Sequence, residues 1–170
     1  MYYFAYGSNM NWTQMQGRCP SSHFVSIGRL INYHFGITRH SRLRDCGTAN
    51  VYPILGAAVW GILYDIDEPD LVVLDGFEDG YRRETLPVLA AAKNNEPFDA
   101  LVYVAAVERD VPLPNTEYKR LMVEGARHWG LPAAYLNMLQ ALRTAADAER
   151  DPLSNASRLR PDGKQSTPSP

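Results

Sequence analysis

The order of secondary-structure signals along the chain limits its fold more than any other feature of the sequence. Five segments in the first 106 residues have the composition or the alternating pattern of strands, and the last third has helical periodicity. The strand segments are "MYYFAY" (1–6), "RLINYHFGITR" (29–39), "AAVWGILYDI" (57–66), "RRETLPVLAA" (82–91) and "FDALVYVAA" (98–106). Strands that precede helices, without repeated strand–helix–strand units, are typical of the α+β class with a mainly antiparallel or mixed sheet.

Three helices are predicted from capping residues and apolar spacing. Asp67 can cap a short helix between the third and fourth strands, Asn115 can cap a longer one, and Pro132 suits the start of a third. Hydrophobic residues become rare after this last helix. We therefore expect a folded domain over residues 1–142 and a polar, flexible C-terminal tail over residues 143–170.

The composition excludes several classes of protein. The chain has 170 residues, of which 45% are hydrophobic and 21% charged, as in a globular protein with a core of its own. Its 17 basic and 19 acidic residues give a net charge of −2, so we expect neither nucleic acid nor a membrane as partner. Without a secretory signal, a long apolar segment or a cysteine framework, a cytoplasmic protein that binds a small molecule is expected.

The first predicted strand ends in a turn that is rich in hydrogen-bonding groups. The segment "YFAYGSNM" (3–10) stops being strand-like at Gly7, Ser8 and Asn9. Glycine permits backbone angles denied to other residues and lets a ligand approach the chain closely. Consecutive peptide N–H groups in such a turn can converge on one oxygen, as an oxyanion hole requires. The same residues also fit an ordinary turn at the end of a strand.

Three carboxylates, Asp75, Glu78 and Asp79, lie within five residues at the predicted end of the first helix. The negative end of a helix and neighbouring carboxylates both disfavour ionisation, so they raise the pKa of a carboxyl group. A carboxylate with a raised pKa can act as a general base near neutral pH. A solvated acidic turn that is balanced by Arg82 and Arg83 explains the same residues without any catalytic role.

Four motifs, taken in order, resemble the gamma-glutamylcyclotransferase family. They are "YFAYGSN" (3–9), "VWGILYDI" (59–66), "LDGFEDGY" (74–81) and "YKRLMVEGARHWGLPAAY" (118–135). The resemblance covers residues 2 to 142 and implies an α+β fold, a small mixed β-barrel flanked by helices with the ligand cavity at its mouth. It also implies a reaction without cofactor or metal, in which a γ-glutamyl amide is cyclised to 5-oxoproline and an amino acid or amine is released.

The same resemblance implies roles for individual residues. Glu78 matches the family's catalytic acid–base residue, and Tyr118 matches its substrate-binding tyrosine. The matching substrate-binding loop comprises Tyr3, Phe4, Ala5, Tyr6, Gly7 and Ser8. Three alternatives stay open: the same chemistry on a γ-glutamyl amine or a γ-glutamyl-protected biosynthetic intermediate, a non-catalytic binder of small carboxylates, and a thiol enzyme that uses Cys19. The oligomeric state is not set by any sequence feature.

Overall fold

Strands precede most of the helices in residues 1–150, the part of the chain that the computed structural model describes. The strands are β1 (Tyr2–Ala5), β2 (His23–Ser41), β3 (Cys46–Asp65), β4 (Tyr81–Ala90) and β5 (Glu96–Ala105). The helices are α1 (Trp12–Arg18), α2 (Glu68–Asp75), α3 (Thr116–His128), α4 (Ala133–Gln140) and α5 (Ala145–Arg150). The strands close into a barrel, which confirms the expected α+β class and the barrel implied by the resemblance.

The barrel has the strand order β1-β3-β2-β4-β5, and β5 closes it by pairing with β1. The β1–β5 pair is parallel, with Tyr3 opposite Leu101, whereas the other pairs in the barrel are antiparallel. The sheet is therefore mixed. Because the barrel is closed, each of its strands has a partner on both sides over part of its length.

β2 and β3 form a long hairpin that extends beyond their contacts with other strands. Near the middle of the barrel, β2 also pairs with β4, and β3 also pairs with β1. Farther along, up to Ser41 and Cys46, the two strands pair with each other. The loop that joins them carries Arg44, whose Nη2 lies 3.3 Å from Oγ of Ser8. The hairpin thus brings its loop next to the turn that follows β1.

Phe4 of β1 is fully buried and packs against two glycines of the barrel. A Cβ atom at Gly28 would lie 3.0 Å from the Phe4 ring, and one at Gly61 would lie 2.8 Å from it. Tyr64 is also fully buried, and its ring packs edge-on against Trp129, with 6.2 Å between the ring centroids. The C-terminal half of β3 is therefore apolar on both faces, because the barrel core covers one face and the helical layer covers the other.

Helix α1 is absent from the sequence-based prediction. Its N-cap is regular, since the N–H of Gln14 donates to Oδ1 of Asn11 at 3.0 Å. The helix has only seven residues, however, and one of them is Gly17. An apolar pattern of that length is too short to distinguish from a loop. The helix follows directly on a 3-10 turn at Ser8–Met10 and ends at Arg18.

Helices α2, α3 and α4 lie where the sequence predicts them. Asn115 caps α3, because its Oδ1 accepts a hydrogen bond of 2.7 Å from the N–H of Tyr118. Pro132 immediately precedes α4. Asp67 occupies the cap position of α2, but its side chain makes no capping hydrogen bond. The start of α2 therefore depends on the proline at its first turn and on packing rather than on a side-chain cap.

Helix α5 lies inside the segment that was predicted to be a polar tail. Thr144, just before it, is buried, and its hydroxyl donates to Oδ2 of Asp147 at 2.7 Å. Residues 145–150 thus continue the ordered structure past the expected boundary at residue 142. Residues 151–170 lie outside the described residues, so the division into a domain and a tail stays a prediction.

At Gly125, the backbone of α3 packs directly against the backbone of the turn that follows β1. A Cβ atom at this position would lie 2.6 Å from the backbone nitrogen of Asn11. We expect Gly125→Ala to lower the free energy of unfolding by about 1 to 3 kcal/mol, because overpacking outweighs the better helix propensity of alanine. Urea unfolding of the purified protein measures this change.

Gly17 in α1 provides the matched control, because a Cβ atom there meets nothing within 4 Å. We expect Gly17→Ala to be neutral or to raise the free energy of unfolding by up to about 1 kcal/mol, since alanine favours a helix over glycine. If Gly125→Ala were as well tolerated as Gly17→Ala, the close contact between α3 and the turn would be contradicted.

Candidate active site

A cavity opens at the end of the barrel where β1 stops. Its walls come from the turn after β1, the turn between α2 and β4, the loop between β2 and β3, and helix α3. The empty space is about 500 Å³, counting the part open to solvent at the mouth. Residues that line it include Tyr3, Tyr6, Gly7, Ser8, Asn9, Arg18, Arg44, Glu78, Tyr81, Tyr103 and Tyr118. Segments far apart in the sequence thus meet in one place.

Glu78 lies in the turn between α2 and β4, and it lines the cavity. Two backbone hydrogen bonds shape this turn. The N–H of Glu78 donates to the carbonyl of Asp75 at 3.2 Å, and the N–H of Tyr81 donates to the carbonyl of Glu78 at 2.9 Å. Oε1 of Glu78 accepts a hydrogen bond of 3.1 Å from Nδ2 of Asn9. The acidic turn and the turn after β1 are therefore connected through their side chains.

The amide of Asn9 makes four hydrogen bonds and is almost fully buried. Its Nδ2 donates to Glu78 and, at 2.9 Å, to the hydroxyl of Tyr3. Its Oδ1 accepts from Nε2 of Gln14 at 3.0 Å and from Nη1 of Arg18 at 2.9 Å. If the Asn9 amide were rotated by 180°, its NH₂ group would face the hydrogen-bond donors of Gln14 and Arg18. The positions of Oδ1 and Nδ2 are therefore fixed by the hydrogen bonds. Asn9 thereby determines where the Glu78 carboxylate lies.

Burial raises the pKa of Glu78 to about 7 and is the largest influence on it. The guanidinium groups of Arg18 and Arg44 and the hydrogen bond from Asn9 act in the opposite direction, while the charge of Asp75 adds a smaller increase. The sequence analysis attributed a raised pKa to the helix end and to neighbouring carboxylates, whereas burial is the main cause in the structure. At neutral pH the carboxyl group is close to half protonated, so it can both accept and return a proton.

The neighbouring carboxylate of Asp75 has partners of its own. It forms an ion pair with Arg83 of β4 and accepts a hydrogen bond of 2.8 Å from the hydroxyl of Tyr103 of β5. The hydrogen bond from Arg83 is the main reason that the pKa of Asp75 lies below its ordinary value. Asp75 is therefore an ionised link between α2 and the barrel.

Arg39 of β2 holds the turn that carries Glu78. Its Nη2 donates to the carbonyl of Asp79 at 3.1 Å, and its guanidinium forms an ion pair with Glu108. Gly80 makes room for this guanidinium, since a Cβ atom there would lie 2.6 Å from Nε of Arg39. Gly80 also has a φ of +80°, a conformation that glycine adopts without strain. The shape of the acidic turn therefore depends on both residues.

Gly7 provides space and does not adopt a left-handed φ angle, which corrects the expectation of special backbone angles. Its φ is −109°, but a Cβ atom there would lie 3.0 Å from the hydroxyl oxygen of Tyr118. In the turn that follows, the N–H of Met10 donates to the carbonyl of Gly7 at 3.1 Å. Because this is the first hydrogen bond of the turn, the N–H groups of Ser8 and Asn9 have no partner inside it.

Tyr118 places a hydroxyl group in the wall of the cavity. The N–H of Ala49 donates to this hydroxyl at 2.9 Å, so the proton of Tyr118 is available to a ligand. Burial, the largest cause, raises the pKa of Tyr118 above its ordinary value and keeps the hydroxyl protonated at neutral pH. The hydroxyls of Tyr6 and Tyr81 donate instead to the backbone carbonyls of Tyr103 and Ala49, so they stabilise the fold.

The cavity contains most of the residues that the resemblance implies, but two of them lie elsewhere. The residues that line it are Tyr3, Tyr6, Gly7, Ser8, Glu78 and Tyr118. Phe4 and Ala5 are buried in the protein core, where Ala5 pairs with Ile62 of β3. Phe4 and Ala5 therefore do not line the cavity with the others, and their implied place in the binding loop also stays a prediction. The roles of the other residues stay predictions.

Arg18 and Arg44 line the cavity, although the sequence analysis did not place them there. Arg18 covers the ring of Phe77, with Cζ 4.1 Å from the ring centroid, and Arg44 covers the ring of Tyr118 at 5.2 Å. An arginine in a polar loop has no distinguishing sequence signal, which explains the omission of Arg44. Arg18 ends the undetected helix α1, and the cap at Asn11 was the signal that could have revealed it.

The thiol of Cys19 is unsuited to nucleophilic catalysis. It is buried and lies 3.6 Å from the carbonyl oxygen of Asp70, and burial raises its pKa to about 12. The alternative of a thiol enzyme is therefore contradicted. Within residues 1–150, no group of three potential ligands from histidine, cysteine, aspartate and glutamate could hold a metal ion. In the same residues, no helix has the length and apolar character needed to cross a membrane.

Comparisons with known proteins agree with the motifs and the fold. Residues 58–139 match the model of the AIG2-like family. The human gamma-glutamylcyclotransferase is 29% identical over 147 residues, which cover 82% of this chain and 77% of that protein. The bovine gamma-glutamylcyclotransferase is 29% identical over 146 residues, with the same coverage. A solved structure named gamma-glutamyl cyclotransferase has a TM-score of 0.77 at 26% identity and covers 85% of this chain and 88% of that one.

The raised pKa of Glu78 links the stability of the fold to pH. In an unfolded chain a glutamate has a pKa of about 4.3, so between there and about 7 the folded protein holds a proton that the unfolded chain lacks. The contribution of Glu78 to stability is therefore present at acidic pH and is lost as the pH rises through about 7. The wild type loses this contribution as the pH rises, but Glu78→Gln has no such contribution to lose. The unfolding free energy of Glu78→Gln minus that of the wild type should therefore increase by on the order of 2 kcal/mol from about pH 5 to about pH 8.5.

Urea unfolding at several pH values measures this difference, and Glu96→Gln is the control because Glu96 is an exposed carboxylate away from the cavity. We expect the control to follow the wild-type pH dependence. Parallel curves for wild type and Glu78→Gln would contradict the raised pKa.

Proposed function

We propose that the chain, whose fold is similar to that of gamma-glutamyl cyclotransferase, cyclises a γ-glutamyl amide to 5-oxoproline with release of an amino acid or an amine. One observation carries this proposal: Glu78 lines the same cavity as Ser8 and Asn9, whose N–H groups have no partner inside their turn. A base and an oxyanion site that face one small volume are the two elements that an intramolecular acyl transfer needs.

The first step requires removal of a proton from the substrate. The α-amino group of a glutamyl moiety has a pKa of about 8, so it is mostly an ammonium at neutral pH and lacks a lone pair for attack. Glu78, with a pKa of about 7, accepts this proton. The neutral nitrogen then attacks the carbonyl carbon of the γ-amide and forms the new C–N bond of the five-membered ring.

The attack places a negative charge on the former carbonyl oxygen. The N–H groups of Ser8 and Asn9 and the hydroxyl of Tyr118 are the donors that can stabilise it, each by an amount on the order of 3 kcal/mol if fully desolvated. When the tetrahedral intermediate collapses, the bond from carbon to the departing nitrogen breaks. Glu78 returns its proton to that nitrogen, and the second proton of the ring nitrogen also passes to it by way of the carboxylate. The departing amine therefore leaves as an ammonium ion, the lactam nitrogen keeps one proton, and the carboxylate is regenerated.

Ring closure needs the substrate in a curled conformation rather than an extended one. The nucleophile and the carbonyl belong to the same molecule, so no second reactant has to be captured, and correct positioning supplies much of the acceleration. Tyr3 and Tyr118 enclose the space between Glu78 and the turn at Gly7. The absence of a side chain at Gly7 keeps the Tyr118 hydroxyl close to the backbone N–H groups.

Arg18 and Arg44 form no ion pair with a carboxylate in the described part of the chain. This also favours a second candidate, a non-catalytic binder of small carboxylates. Both candidates predict ligand binding, but only the enzyme predicts turnover. Incubation with a panel of γ-glutamyl amino acids and γ-glutamyl amines, with detection of 5-oxoproline, separates them. The same panel distinguishes amino acids from amines and from γ-glutamyl-protected intermediates as natural leaving groups.

Glu78→Gln should lower kcat by about 100-fold or more and leave ligand binding largely intact, because the amide keeps the shape of the side chain but cannot accept a proton. In the wild type, kcat/KM should rise through about pH 7 as Glu78 loses its proton. Steady-state kinetics of 5-oxoproline release measure both effects. Glu68→Gln, an exposed substitution at the start of α2, is the control and should keep wild-type activity.

Unchanged turnover in Glu78→Gln would eliminate Glu78 as the base. Binding without turnover in the wild type, for every member of the panel, would instead favour the non-catalytic binder.

A further inference from the structure

The guanidinium groups of Arg18 and Arg44 in the cavity form no direct ion pair within the described part of the chain. Arg18 donates to Oδ1 of Asn9, and Nη2 of Arg44 donates to Oγ of Ser8 at 3.3 Å and to Oε1 of Gln14 at 2.9 Å. These acceptors are all neutral, and the ion pairs of the described residues involve other arginines. Both side chains are half-buried. Half-buried cations without a paired carboxylate favour an anionic ligand.

The two guanidinium groups lie near each other but contact different walls of the site. Arg44 lowers the pKa of Arg18, and Gln14 hydrogen-bonds both to Arg44 and to Asn9, the acceptor of Arg18. Arg18 covers Phe77, which directly precedes Glu78, whereas Arg44 covers the ring of Tyr118. The electrostatic effects agree with this placement. Arg18 lowers the pKa of Glu78 more than Arg44 does, and Arg44 lowers the pKa of Tyr118. Arg18 is therefore on the side of the base, and Arg44 is on the side of α3.

This arrangement suits a substrate with two carboxylates. If the proposed function holds, the α-amine of the glutamyl moiety faces Glu78, and its α-carboxylate, bonded to the same carbon atom, falls beside Arg18. The departing amine lies beyond the scissile amide, toward Tyr118. We infer that Arg44 binds a carboxylate on the departing amine and is thereby a specificity-determining residue of the reaction.

Arg44 is held in a way that leaves donors for such a carboxylate. Both of its side-chain hydrogen bonds use Nη2, so Nε and Nη1 keep three N–H donors without a partner among the described residues. Nε2 of Gln14 donates to Ser8 at 2.9 Å and to Asn9 at 3.0 Å. These two bonds fix the side-chain amide of Gln14, whose oxygen accepts from Arg44. A guanidinium restrained in this manner can still give charge-assisted hydrogen bonds to a carboxylate from its remaining N–H groups. A neutral departing amine offers no such partner.

The test compares two substrates that differ by a single carboxylate, γ-glutamyl-L-alanine and γ-glutamylethylamine. Arg44→Gln should lower kcat/KM for γ-glutamyl-L-alanine by about 10- to 100-fold, as expected when hydrogen bonds between charged groups are lost. Arg44 also lowers the pKa of Glu78, an effect that both substrates share, so the readout is the ratio of the two kcat/KM values. The loss for γ-glutamylethylamine should be smaller by about tenfold or more, because that substrate has no carboxylate to lose contact with. Arg42→Gln, an exposed substitution in the same loop, is the matched control and should leave both values unchanged.

An equal loss for both substrates would overturn the inference, because it would show that Arg44 acts only through the structure of the cavity. Binding separates this failure from a failure of the proposed function. Calorimetry with Glu78→Gln and with the double variant Glu78→Gln, Arg44→Gln measures the affinity for both compounds without turnover. A loss of affinity confined to γ-glutamyl-L-alanine supports the carboxylate contact even if the wild type forms no 5-oxoproline. Equal affinities in both variants contradict it.

Discussion

The hydrogen bond between Asn9 and Glu78 is the contact on which the site depends. It connects the turn after β1 to the turn before β4, and the same amide also binds Gln14 and Arg18 of helix α1. A buried amide that loses its partners costs about 1 to 3 kcal/mol, so these segments are held together by more than packing. The position of the proposed base is therefore determined by a helix and a turn that lie far from it in the sequence.

The proton affinity of Glu78 results from a balance between burial and two cations. Burial alone would raise the pKa of Glu78 and keep the group protonated. A direct ion pair would instead lower the pKa so far that the carboxylate could not accept a proton at neutral pH. Arg18 and Arg44 are held by neutral oxygens of Asn9, Ser8 and Gln14, and so they lower the pKa of Glu78 from a distance. The network that orients the arginines thereby also adjusts the base. Substrate recognition and proton transfer share one set of contacts.

Much of the fold and part of the site follow from the sequence. The strand segments and helices α2 to α4 were predicted because alternation, apolar spacing and caps are local signals. Helix α1 was missed because seven residues give too short a pattern. The motif "YFAYGSN" (3–9) contains Gly7, Ser8 and Asn9, which line the cavity, and also Phe4 and Ala5, which are buried in the core. In a strand, successive side chains point to opposite faces, so a continuous string cannot all line one cavity.

The sequence by itself determined the α+β class, the strand segments, the cap of α3 and the presence of a glycine turn and an acidic turn. Only the tertiary structure decided that Glu78 and Asn9 share one cavity, that burial sets the proton affinity of Glu78, and that Arg44 lies over Tyr118. The reason is physical. Periodicity and capping act between residues a few positions apart, whereas desolvation and charge–charge interactions depend on neighbours that closure of the barrel brings together.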